Sequence, residues 1–335
     1  MKLVRFIPTD AWIFRKPVYF GIGDIAESDI MPPLSVIEGA LRTAIGKVVN
    51  VDWKKYAEGS ERSDVYDIIG YPSDRPPFAV SFPMIDVDST VYIKLPFNVV
   101  IAEKEGRYEA IFIPFDAEVE HIDVKLPKLI SFGGREAVSQ QAYISTDALK
   151  RLFSNYGWQP IEKGKDFIFL SDVAQSFWHT GIRIDDDSYT VYNKGKGHMF
   201  RYMGIEFKEG VSIVSVIDSG EEVLDILDKL NDKEVFFGAK GKAAIIKVSD
   251  VEFPVNVSGS KVWVLCSGVE AQTPVWVPLF DSKPTGIALQ GKYIYTGYDM
   301  VKRQGKPSKV MLPVSSTFYF EDGCQKAKKG IFITL

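Results

Sequence analysis

Cysteine is almost absent from this sequence: Cys266 and Cys324 are its two. Two thiols in 335 residues cannot build the disulfide framework of a small secreted domain, and they fit a reducing, cytoplasmic setting. Histidine is nearly as scarce, with His121, His179 and His198 all standing away from the cysteines, so neither a zinc site nor any other metal or cofactor is expected. No apolar run approaches the ~18 residues of a membrane span, and Met1–Pro8 lacks a signal-peptide core. The expectation is a soluble chain with no membrane partner, in which the sequon Asn256-Val257-Ser258 goes unused. A surplus of positive charge is also missing, since Lys and Arg number 40 against 44 Asp and Glu. That excludes a uniformly basic nucleic-acid binder and leaves any polyanion a local patch.

Several enzyme signatures are incomplete. Gly21-Ile22-Gly23-Asp24-Ile25-Ala26 follows a strand in the manner of a dinucleotide fingerprint, but Pro32-Pro33 intervenes before the helix that should receive the pyrophosphate. The Gly-Lys pairs at 46–47, 164–165, 195–196, 241–242, 291–292 and 305–306 are never followed by Ser or Thr, so the Mg²⁺-binding hydroxyl of a phosphate loop is lacking. Asp185-Asp186-Asp187 could hold a hard cation, yet between Ile182/Ile184 and Tyr189/Val191 it reads as a hairpin turn. His179 could serve as a general base in RNA cleavage, or as a hydrogen-bonded or RNA-contacting side chain.

What the sequence does contain is an ordinary globular balance, 46% hydrophobic and 25% charged, over a length that suits two domains. Aromatics at 13%, 27 glycines and many short β-branched runs predict an α+β fold rich in strands. A helix is expected from Ser35-Val36-Ile37-Glu38, a capping box, with Ile37, Ala40, Leu41, Ala44, Ile45 and Val48 on one face. Arg42 and Lys47 lie off that stripe, as solvated charge or as polyanion contacts. A second helix is expected over 146–154, and a third after another capping box, Ser219-Gly220-Glu221-Glu222. Strands at 211–216, 234–237 and 243–248 surround the third helix, a succession compatible with a ferredoxin-like sandwich. Charge and glycine around 160–166 suggest domains of 1–165 and 166–335.

Two segments suit RNA. Gly238-Ala239-Lys240-Gly241-Lys242-Ala243 would let backbone amides approach phosphate while Lys240 and Lys242 neutralise it; the alternative is a flexible hairpin loop. Between 292 and 309, Lys292, Lys302, Arg303, Lys306 and Lys309 face the single acid Asp299, with Tyr293, Tyr295 and Tyr298 interleaved for stacking on unpaired bases. A plain solvated hairpin would carry the same residues. The stretch 218–234 is acidic instead, as a solvated helix or a protein-binding face.

Trp12-Ile13-Phe14, Pro17-Val18-Tyr19-Phe20-Gly21 and Pro32-Pro33-Leu34-Ser35-Val36-Ile37-Glu38-Gly39-Ala40-Leu41-Arg42 resemble the opening of the third subunit of the Cmr complex of type III-B CRISPR, in the RAMP superfamily. His179-Thr180-Gly181-Ile182-Arg183, the loop Phe237–Ala243, Thr296-Gly297-Tyr298-Asp299 and Leu312–Phe320 are similar to that family's later motifs, in order. Ala239, Lys240 and Lys242 replace the family loop's second glycine and its arginines, and Pro313-Val314-Ser315-Ser316 stands for proline-alanine-glycine-serine. The resemblance implies two ferredoxin-like (RRM-like, βαββαβ) domains with β-hairpin insertions and glycine-rich loops. It implies a scaffold of antiviral defence without catalysis of its own, which holds the 5′ tag of the crRNA. Its partners would be the large polymerase-like subunit, the backbone RAMP subunit and, through the complex, target RNA. Arg42, His179, Arg183, Gly238, Lys240, Gly241, Lys242, Lys302 and Arg303 become candidate RNA contacts. A RAMP-type endoribonuclease that processes guide precursors is the alternative.

Overall fold

The structure, a computed structural model, describes all residues except 15–24, 120–121, 129, 139–140, 156, 183–198, 240, 292, 296–297 and 300–303. It is a mixed α/β chain made mostly of sheets, with few helices. In β1 (Lys2–Pro8) the period of two sends Val4 and Phe6 to one face and Leu3 to the other. Helix α1 (Leu34–Val48) buries Ile37, Ala40, Leu41, Ala44 and Ile45, as their spacing predicts. Two short helices that the sequence reading did not contain follow, α2 (Trp53–Glu58) and α3 (Ser63–Ile69). Asp52 caps α2 by accepting from the amides of Lys54 and Lys55, and Gly59 ends it in the left-handed region at φ 76°. Helix α4 (Thr146–Ser154) has the predicted bounds, with the Ser145 hydroxyl accepting from Ala148 N at 3.2 Å.

The two capping boxes are absent. Helix α1 starts one residue before Ser35, so that hydroxyl falls inside the first turn, and Glu38 turns into the core. After the single turn α5 (Leu170–Val173), helix α6 (Glu221–Asp228) is preceded by Gly220, which places Ser219 one residue too early to cap it.

A nine-stranded sheet organises the molecule. Its further strands are β2 (Met84–Val87), β3 (Thr90–Lys94), β4 (Ala142–Ser145), β5 (Phe167–Phe169), and, after a hairpin of β6 (Ala174–Ile182) and β7 (Met199–Phe207) outside this sheet, β8 (Val211–Asp218), β9 (Glu234–Phe236) and β10 (Ala243–Asp250). The order is β5-β4-β3-β2-β8-β1-β10-β9, with Ala79–Val80 pairing β8 beside β2. Strand β1 is antiparallel to β8 on one side and β10 on the other. Helix α1 follows β1, α6 follows β8, and both pack on one face. The order β10-β1-β8-β2 with these helices is a β-α-β-β-α-β sandwich assembled from residues 2–87 and 211–250. Strands from before and after residue 165 share this sheet. Residues 88–210 leave β2 and return to β8 at one point, Val87 pairing Val211 and Asp88 N donating to Gly210 O at 3.2 Å.

Strand β8 is buried on both faces, in keeping with its Val and Ile on both sides and only the small Ser212 and Ser215 between them. Ile213 and Ile217 face the helices; Val214 and Val216 face a core shared with Val262, Val264 and Ile333. Those last residues belong to a six-stranded sheet built on β11 (Ser260–Leu265), β12 (Gly286–Ala288), β15 (Thr317–Cys324) and β16 (Phe332–Thr334), with a separate hairpin β13 (Tyr293–Tyr295) and β14 (Lys309–Met311) inserted between β12 and β15. Ser315 adopts φ 74° ahead of β15, so the tight turn forms although serine replaces the glycine. Both cysteines are free and buried, and burial pushes the Cys266 thiol up to about 12. Among the described residues no helix is long and apolar enough to cross a membrane.

Candidate nucleic-acid interface

Residues 9–14 form a junction between the glycine loop and the β6–β7 hairpin. Trp12 exchanges both backbone hydrogen bonds with Ile205 of β7, each 2.8 Å. On the other side Ala239 N donates to Ile13 O at 3.0 Å, while the Trp12 indole and the Thr9 hydroxyl donate to Ala243 O at 2.8 and 3.1 Å. Trp12 is fully buried, its ring packed with Phe14, Phe207 and Phe237. Gly238 has φ 89°, and a Cβ there would lie 3.0 Å from Ile13 O, so close backbone approach requires glycine. Gly241 (φ 69°) faces open space. The Ala239 and Lys242 amides bond within the protein, so backbone reach toward a phosphate is narrower than the loop's composition predicts.

This junction brings His179 and Lys242 together around Asp10. The Lys242 ammonium pairs with the Asp10 carboxylate, and that bond, helped by the Ala11 amide at 2.7 Å and by nearby His179, holds Asp10 below the usual carboxylate range. Asp10, His179 and Glu206 line a recess of about 510 Å³ walled by Phe177 and Phe207. The His179 ring lies edge-on to Phe177 and stacks on Tyr202 with centroids 4.9 Å apart. Phe177 rests over Gly204, where a Cβ would come within 2.6 Å of its ring. Trp178, on the other face of β6, is 51% exposed, and Phe236 on the edge strand β9 is 57% exposed beneath the Lys47 ammonium, 4.8 Å from the ring. Exposed aromatic faces beside cations suit stacking on unpaired bases.

Asp10 competes with any phosphate for Lys242. Asp10→Asn is expected to raise affinity for single-stranded RNA several-fold and to steepen the log affinity against log salt by about 0.7, one phosphate contact. Filter binding across a salt series measures both; an unchanged slope would mean that Lys242 does not meet phosphate.

Arg42 lies elsewhere, on α1, where its Nη2 donates to Asp74 O at 2.7 Å. Lys306 of the basic stretch donates to the same carbonyl at 3.3 Å, so these two predicted cations share one anchor. Beneath them the buried Glu38 carboxylate accepts from Arg75 Nε at 2.9 Å and from the Tyr295 hydroxyl at 2.7 Å, while Arg75 Nη1 reaches Gly268 O at 2.7 Å. Arg183, Lys240, Lys302 and Arg303 lie outside the described residues, as do Lys292 and the Asp185–Asp187 turn. Sequence reasoning passed over Asp10, Tyr202, Trp178 and Phe236.

The CRISPR-associated protein family model Cas_Cmr3 matches residues 4–269. A chain in the cryo-EM structure of the Type III-B Cmr-beta bound to cognate target RNA and AMPPnP, state 1, superimposes with a TM-score of 0.54 at 15% identity, covering 95% of this chain and 86% of that one. A chain of the Type III-B Cmr-beta bound to cognate target RNA gives 0.52 at 15% identity, with the same coverage. These are likenesses of fold. No curated protein matches the sequence.

Proposed function

The chain belongs to the CRISPR-associated Cas_Cmr3 family, and from that premise we propose that it is a non-catalytic RNA-binding scaffold of a type III-B effector complex in the cytoplasm. It holds the 5′ tag of the crRNA and docks the large polymerase-like subunit beside a backbone RAMP subunit. The observation that carries the reading is the junction at 9–14, which gathers the glycine loop and the Thr-Gly-Ile hairpin, motifs about 60 residues apart, so that Lys242 and His179 meet at Asp10 beside the rings of Phe177, Tyr202 and Phe207. A single strand would lie across this surface by phosphate contact and stacking, leaving target choice to base pairing. In the same reading the β10-β1-β8-β2 sandwich is one ferredoxin-like unit, and the second is sought among β3, β4, β5 and α4.

Native purification of the tagged chain, with ultraviolet crosslinking and peptide mapping, tests it. Adducts to crRNA 5′ ends at Trp178, Tyr202 or Lys242 are expected, with binding that weakens steeply as salt rises. A complex that retains crRNA but gives no adduct on this chain would make it a protein adaptor. Repeat RNA incubated with the chain is expected to stay intact; cleavage abolished by His179→Ala would establish the endoribonuclease instead.

A further inference from the structure

A cleft of about 1870 Å³ opens between the β3–β4 end of the large sheet and the β13–β14 hairpin, and Ser176 and Met203 of the β6–β7 hairpin also line it. Its volume is well above the ~300–1,000 Å³ of small-molecule sites, so it suits a stretch of polypeptide better than a metabolite. Its walls are mainly apolar, and Phe132 and Ile294 stand exposed at 36% and 42%. Among the described residues its charged members are Asp29, Lys94 and Lys306.

Lys94 is the unusual one. Its main chain is fixed from two sides, paired with Tyr143 of β4 and accepting from the Ser315 hydroxyl at 2.9 Å. Its ammonium is half-buried and has no hydrogen-bonding or ionic partner among the described residues, and burial alone depresses its pKa. A cation held in an apolar wall without a partner is unfavourable until an anion arrives. An RNA strand would bring a phosphate with every nucleotide, against walls that are mainly apolar and that carry, among the described residues, two lysines and an aspartate. A peptide with one carboxylate among apolar residues matches both walls and charge.

We infer that this cleft receives an apolar segment of a partner protein, whose single Asp or Glu side chain pairs with Lys94. The inference rests on the effector-complex reading only for where that partner comes from. Zero-length carbodiimide coupling of the natively purified complex, which joins amines to touching carboxylates, tests it. The expected product links Lys94 to one Asp or Glu flanked by apolar residues in an identified partner subunit. Lys94→Met, which keeps the apolar stem, should lower recovery of that subunit about tenfold or more while the melting temperature holds. Lys94→Arg should keep most of it.

Recovery of crRNA and partner subunits with Lys94 uncoupled, or coupled to an acid of its own chain, overturns the cleft assignment and leaves the RNA reading standing. Ultraviolet adducts of RNA at Lys94 would overturn it in favour of nucleic acid. A chain recovered alone would overturn both.

Discussion

Arg75→Met should lower the stability of this protein by about 3–5 kcal/mol, the cost of leaving a buried carboxylate without its cation. Glu38 is 3% exposed, and Arg75 and Tyr295 hold its two oxygens. Removing the arginine strands that charge inside the core. The double variant Glu38→Gln/Arg75→Met should recover a large part of the loss, because neither charge then remains. Urea unfolding gives the comparison through the midpoint at constant slope. A loss under about 1 kcal/mol would show that the carboxylate finds another partner or protonates. The same cluster has a pH signature. Burial, then the charge and hydrogen bond of Glu38, push the Tyr295 phenol above its ordinary value near 10. Its contribution is complete below that value and disappears as pH rises through the higher folded value. Tyr295→Phe should therefore flatten the alkaline loss of stability.

Trp12→Ala is the second large effect. A fully buried tryptophan in an aromatic cluster costs about 3–5 kcal/mol when truncated. Its indole also ties down Ala243 at the end of the glycine loop. RNA crosslinking at Lys242 and at the β6–β7 hairpin should fall together, although Trp12 itself is out of reach of RNA. Trp12→Phe separates the two roles: most of the packing stays, the 2.8 Å bond to Ala243 goes, and stability should fall by only about 1 kcal/mol. If Trp12→Ala folds and crosslinks like the native chain, the junction does not position the surface.

Short-range pattern was legible wherever packing is local. The stripe of α1, the bounds of α4 and the strands around α6 follow from spacing and turn residues. The capping boxes misled because a serine and a glutamate three apart do not fix where a helix starts. Pro33 starts α1 a residue earlier, and Glu38 has a stronger partner in Arg75. The place of β1 between β8 and β10 was illegible, because its neighbours lie some 200 residues away and no periodicity encodes that distance. For the same reason Lys242 and His179 could each be proposed from composition, yet Asp10 could not. Its role exists only once Trp12 has joined hairpin to loop.

The central position of β1 also sets a schedule for synthesis. At about 5–20 residues per second, the ribosome needs roughly 10–40 s after completing Pro8 to deliver Val211, the start of β8. Throughout that interval β1 has two unpaired edges and Val4 and Phe6 uncovered, the condition in which strands pair with the wrong chain. Moving β1 behind β10 by circular permutation would deliver it after both of its neighbours, and the yield of soluble protein at high expression should rise accordingly.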